Sequence, residues 1–96
     1  MRADIKPRTV NGKTYTYRTK GSFAIEHNGI TYNLGEMIPG SAMKKAHLFV
    51  RKFVQREWLR LRIPSETTAT VIVDGEFFCS VMAQYKNSSV YSYTLN

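Results

Sequence analysis

His27, His47, Cys79 and Glu57 are the side chains from which a metal centre or a nucleophilic site would have to be assembled. Zinc takes three or four such ligands at short, characteristic spacings. The two histidines stand alone in two separate segments, and no third ligand keeps metal spacing with either. There is no Ser-His-Asp pattern, no pair of carboxylates and no phosphate-cradling loop, since Gly35–Gly40 lacks the Gly-Lys-Ser/Thr ending that such a loop needs. Cys79 is the single cysteine, so no internal disulfide can form, and its apolar run from Phe77 to Met82 makes it a core residue. These residues point away from an enzyme and call for no cofactor and no metal.

The chemistry that the sequence does carry is cationic. Lys and Arg number 14 against 7 acids, for a formal net charge of +7. The excess is uneven: residues 1–63 hold thirteen Lys and Arg against Asp4, Glu26, Glu36 and Glu57, whereas residues 64–96 hold Lys86 alone against Glu66, Asp74 and Glu76. Such asymmetry suits a polyanion, DNA or RNA, or else an acidic protein surface.

Half of the basic residues fall in Ser41–Ile63, a segment with helical periodicity. Ala42, Met43, Ala46, Phe49, Val50, Phe53, Val54 and Leu61 form a broad apolar stripe with Phe53 near its middle. Lys44, Lys45, Arg51, Lys52, Arg56 and Arg62 lie opposite and could follow a phosphate backbone. Leu48 and Leu59 sit among these cations, and Trp58 at the stripe's edge. The three suit a groove-binding or dimerising helix. Glu57 projects from the apolar stripe, where a carboxylate needs a partner such as Arg60 or Arg18, or marks where the helix leaves the sheet. Pro39-Gly40 should break the chain, Ser41 should cap the helix, and Pro64 should stop it.

Strands must hold this helix. Asn11-Gly12, Asn28-Gly29 and Asp74-Gly75 are the dipeptides that tight hairpins prefer, and Lys86–Ser89 closes a fourth hairpin. The expected order is ββββ–α–βββ, one α+β domain over residues 1–96, with residues 1–7 as a flexible basic N-terminus. In the segment 14–19, Tyr15 and Tyr17 share a face. They belong either to the core or to an exposed aromatic platform flanked by Lys13, Arg18 and Lys20. Along Phe77–Tyr85, strict alternation puts Phe77, Cys79, Val81, Ala83 and Tyr85 in one row and Phe78 with Met82 in the other.

Strands followed by a helix are similar in order to the arm-binding domains of phage integrases, which read DNA with a three-stranded sheet in the major groove. No motif residue of this chain joins that likeness, and the C-terminal hairpins fall outside it. No apolar run approaches membrane-spanning length and the first residues lack an apolar signal core, so a soluble cytoplasmic protein is expected, in the host cytoplasm if viral. The leading expectation is a small, non-enzymatic nucleic-acid-binding protein that uses the helix cations and the basic N-terminal strands. The alternative is a regulator or inhibitor, of phage or mobile-element type, that captures a protein or forms a homodimer through the helix. A membrane partner is not expected, because the apolar stripe is needed for the core.

Overall fold

The structure is a computed structural model that describes residues 6–95. The expectation for the N-terminus therefore falls largely on residues outside the described part. Eight elements follow one another: β1 (Arg8–Val10), β2 (Lys13–Tyr15), β3 (Gly21–His27), β4 (Ile30–Met37), α1 (Pro39–Leu61), β5 (Ser65–Val73), β6 (Glu76–Lys86) and β7 (Ser89–Leu95). This is the ββββ–α–βββ order of an α+β fold. Strands β1 and β2 form a hairpin of their own, and the others make an antiparallel sheet in the order β4-β3-β5-β6-β7. The sheet is thus five strands wide and draws on both sides of the helix in sequence, unlike a three-stranded sheet followed by a helix.

Asn11-Gly12, Asn28-Gly29 and Asp74-Gly75 each place two consecutive residues at positive φ, from 50° to 82°. That backbone twist matches the flanking strands, which is why these dipeptides reverse the chain. Asn87 and Ser88 do the same without a glycine, at φ 52° and 62°.

The helix starts two residues earlier than the sequence suggests. Ile38 is its N-cap, Pro39 its first residue, and the Ala42 amide donates to the Ile38 carbonyl at 3.1 Å. Proline breaks a helix interior but suits its first turn, where the missing N–H had no partner to lose. Ser41 is therefore an exposed first-turn residue and caps nothing. At the other end Arg62 turns left-handed (φ 59°) and its amide closes on the Trp58 carbonyl at 2.8 Å.

One face of the sheet receives α1. The buried line of the helix is Pro39, Ala42, Met43, Ala46, Val50 and Val54, narrower and smaller in side chains than the expected stripe. Phe49 and Phe53 flank it and are only half-buried, set edge-on to the His27 ring at 5.3 and 4.6 Å. Small residues let the helix backbone sit close to the sheet, and the larger rings fill the wedge at its side. No helix residue beyond Val54 is buried, and Leu61, expected in the stripe, is 44% exposed.

A β-bulge changes which aromatic of β6 is inside. The pairing with β5 shifts between Val71 and Ile72, so that Val71 faces Cys79 while Ile72 faces Phe77. The extra residue, Phe78, turns inward beside Cys79, and Phe77 is left 53% exposed. This reverses the expected rows at their first two positions, because a bulge puts two successive side chains on nearly the same side.

The β1–β2 hairpin closes one end of the core. Tyr15 and Phe23 meet Phe78 edge-on at 6.4 and 5.6 Å. The Tyr15 hydroxyl donates to the Asp74 carboxylate, whose other oxygen accepts the Ser22 amide at 3.0 Å. The Arg8 guanidinium donates to the Phe78 carbonyl and lies over its ring. Gly21 makes the close approach possible, since a Cβ there would lie 2.7 Å from the Val73 side chain and 3.0 Å from the Tyr15 ring.

Candidate nucleic-acid interface

Because strands lie on one side of α1 only, its outer side faces solvent. Lys44, Lys45, Lys52 and Arg56 are all exposed along it, and Arg62 is exposed in the left-handed cap just past its end. Arg51 is half-buried and leans toward His47, with its Nε buried and without a hydrogen-bond partner among the described residues. Glu57 is the only acidic residue of α1. It is held by Arg60 through two hydrogen bonds of 2.9 and 3.1 Å, so it neutralises a cation that the expected track did not include. The expected pairing of Glu57 with Arg60 is thus present, and the helix is still on the sheet one residue later, where Trp58 meets Tyr85.

Leu48 and Leu59 are 52% and 59% exposed on the same outer side. Trp58 is different. Its ring stacks on Tyr85 at 4.7 Å with 13° between the planes, so one face of the indole is already occupied within the chain.

The N-terminal group of expected site residues divides. Tyr15 is buried and belongs to the core, because its ring seals the hairpin against Phe78 and its hydroxyl anchors on Asp74. It cannot serve an exposed platform. β2 stops at Tyr15, and Thr16–Thr19 form a turn closed by the Thr19 amide on the Thr16 carbonyl at 3.0 Å. The alternation of Tyr15 with Tyr17 therefore ends there, and Tyr17 is exposed under the Arg18 guanidinium at 5.5 Å. Lys20 is exposed.

Lys13 is engaged within the chain. Its ammonium lies 5.0 Å over the Tyr15 ring and 3.6 Å from the Asp74 carboxylate. The Tyr15 hydroxyl, and then Asp74, hold its proton on and raise its pKa. Asp74 is shifted below the usual carboxylate range by the hydrogen bond from Tyr15 and then by the Ser22 amide, and Tyr15 is raised by that same bond to Asp74. The hairpin and the first turns of the helix share one end of the sheet: Tyr15 packs on Phe78, while Met43 accepts from the neighbouring Cys79 thiol at 3.4 Å.

Both histidines are hydrogen-bonded to hydroxyl groups of the sheet. His27 Nε2 bonds Thr67 Oγ1 at 2.6 Å, and His47 bonds Ser92 at 2.9 Å and Thr94 at 3.1 Å. Burial lowers both pKa values, with Arg51 adding to the effect at His47. Burial pushes the Cys79 thiol up to about 11, far from a thiolate nucleophile. Among the described residues, no group of three or more His, Cys, Asp or Glu could hold a metal ion, and no helix is long and apolar enough to cross a membrane.

A second uncovered surface had no counterpart among the expected sites. It is the sheet face opposite the helix, where register brings together Ile72 with Phe77, Met82 with Tyr93, and Gln84 with Tyr91. Phe77, Tyr91 and Tyr93 are 53%, 48% and 42% exposed there, and the Tyr93 hydroxyl touches Met82 Sδ at 3.3 Å. The row of Tyr91, Tyr93 and Leu95, an apolar row expected to meet the helix, instead faces away from it, because it is Ser92 and Thr94 that reach His47 of the helix. No family model, curated protein or solved structure matches this chain.

Proposed function

We propose that the protein binds nucleic acid through the outer face of α1. The observation that carries this reading is the run of exposed cations Lys44, Lys45, Lys52, Arg56 and Arg62, with the helix's one carboxylate already paired to Arg60. A helix of 23 residues is about 34 Å long, enough to follow several phosphates. Arg18 and Lys20 sit on the hairpin side of the sheet end where the helix begins and extend the cationic surface. Binding is through backbone phosphates, and Tyr17 offers a single exposed ring for a base. No step of catalysis is part of this role.

The test is titration of labelled duplex and single-stranded oligonucleotides across a range of salt. Affinity should fall with a log–log slope of about −0.9 per phosphate neutralised on duplex. Lys44→Ala, Lys52→Ala and Arg56→Ala combined should flatten that slope by roughly two to three. Absence of binding to either form at low salt would end the proposal.

One observation favours a second reading. Leu48 and Leu59 are exposed among the cations, and burying each in a partner would contribute roughly 1.5–3 kcal/mol. On that reading the same face takes an acidic protein that offers an apolar groove. Leu48→Asp with Leu59→Asp would abolish such capture and change phosphate binding only modestly.

A further inference from the structure

The two edges of the sheet are built differently. Edge strand β4 carries Glu36, a register shift against β3 between Phe23 and Ala24, and Gly35 at φ 94°. Charges and bulges of this kind prevent another strand from adding to an edge. Edge strand β7, Ser-Val-Tyr-Ser-Tyr-Thr-Leu, has none of them: no charge, no proline, no glycine, and an unbroken register with β6 from Lys86↔Ser89 to Ser80↔Leu95. Alternate N–H and C=O groups along its outer side have no strand beside them among the described residues. On the open sheet face this edge carries Tyr91 and Tyr93, both exposed.

We infer that β7 pairs with β7 of a second copy of the chain, antiparallel, to give a continuous ten-stranded sheet. The one register that pairs all seven residues is centred on Ser92, with Tyr91 of one copy opposite Tyr93 of the other. A two-fold axis perpendicular to the sheet relates the copies, as in any isologous antiparallel edge pair. Four tyrosines then meet on the open face, continued by Met82 and Leu95 of each copy. A second copy suits the edge because the seam holds no charge: the cations lie on α1, on the side of the sheet away from these tyrosines, and β7 brings no like charges together. The same axis puts both α1 helices on one face, so the dimer carries two cationic tracks side by side. The pairing goes beyond the nucleic-acid proposal and is tested with no nucleic acid present.

Sedimentation equilibrium of the full chain should give a dimer. Tyr91→Lys with Tyr93→Lys sets like charges opposite one another twice across the seam and should weaken dimerisation roughly tenfold. Tyr91→Glu with Tyr93→Lys alters the same two exposed positions but sets opposite charges face to face, and should restore it. Hydrogen exchange on the unaltered chain provides a check that needs no variant: amides on the outer side of β7 should become protected as concentration rises. A monomer at every concentration, equal dimerisation of the two double variants, or β7 amides whose exchange ignores concentration would each overturn the inference.

Discussion

The outer face of α1 and the open face of the sheet are both uncovered, yet they are chemically opposite. The helix face displays the exposed cations Lys44, Lys45, Lys52 and Arg56, with Arg62 at the cap beyond it, and two isolated leucines. Register places Glu26, Glu36 and Glu66 on the open sheet face against Lys86, with Tyr91 and Tyr93 on the edge strand β7 and Phe77 beside Ile72 near the β5–β6 turn. Aromatic rings on an open sheet suit stacking of bases only where cations draw the backbone to them. Here the rings and the cations occupy different faces. On the proposed reading a polyanion would go to the helix face, and the aromatic face would be left for an uncharged contact.

The largest expected effect tests whether the two sides of the sheet are assigned correctly. Phe78 is buried against Tyr15 and Phe23 at the hairpin end of the core, and its neighbour Phe77 is exposed on the open face. Phe78→Ala should therefore cost about 3–5 kcal/mol. Phe77→Ala should change stability by no more than about 0.5 kcal/mol, as surface substitutions do. Urea denaturation of the two variants compares them directly. Equal losses would mean that the bulge is absent and that Phe77 and Phe78 share the burial.

A smaller effect locates the titrating groups in the covered seam between helix and sheet. His27 and His47 both lie there, and burial lowers their pKa values from an ordinary 6.5. As pH falls through 6.5, the unfolded chain takes up protons that the folded chain resists, so stability is full above that pH and declines below it. Melting temperature should drop between pH 7.5 and 5, and His27→Leu with His47→Leu should remove most of that slope, whatever the change in absolute stability. A melting temperature that stays level across this range would place both rings in water.

The smallest effect sharpens the charge contrast. The Glu57–Arg60 pair lies near the surface, so Glu57→Gln should shift stability by only about 0.5 kcal/mol. It would release one more cation to the helix face, and the salt dependence of nucleic-acid binding should steepen slightly. A loss of several kcal/mol would show that the carboxylate neutralises a charge in the core.

What was legible in the sequence was what local rules govern. The Asn-Gly and Asp-Gly turns announced three hairpins because few residues tolerate positive φ twice in succession. The basic side of the helix followed from periodicity, and it is uncovered because the strands all lie on the other side. The misreadings share one cause, which is that period-two alternation carries no record of where it breaks. The bulge at Phe78 exchanged Phe77 for Phe78 in the core, and the turn at Thr16–Thr19 separated Tyr15 from Tyr17. The narrow buried line of Ala42, Ala46, Val50 and Val54 was hidden for a different reason. Larger rings at 49 and 53 weigh more in any hydrophobic pattern, although the close helix–sheet approach favours small side chains. Gly21 reads in the sequence as a turn residue between Lys20 and Ser22; in the fold it opens β3, and its role is defined by a tyrosine six residues earlier and a valine from β5.

Asp74 performs two tasks whose order is fixed. Its backbone turns β5 into β6 at φ 50°, and its carboxylate then receives Tyr15 and the Ser22 amide from across 59 and 52 residues of sequence. The anchor for the β1–β2 hairpin is in place only after the Asp74-Gly75 turn has closed. Arg8 likewise waits for the Phe78 carbonyl, 70 residues downstream. Contacts of such long range form late because chain closure must precede them. The β1–β2 hairpin thus depends on a turn made 59 residues later in the sequence, and without that anchor the Phe78 end of the core would lie open to water.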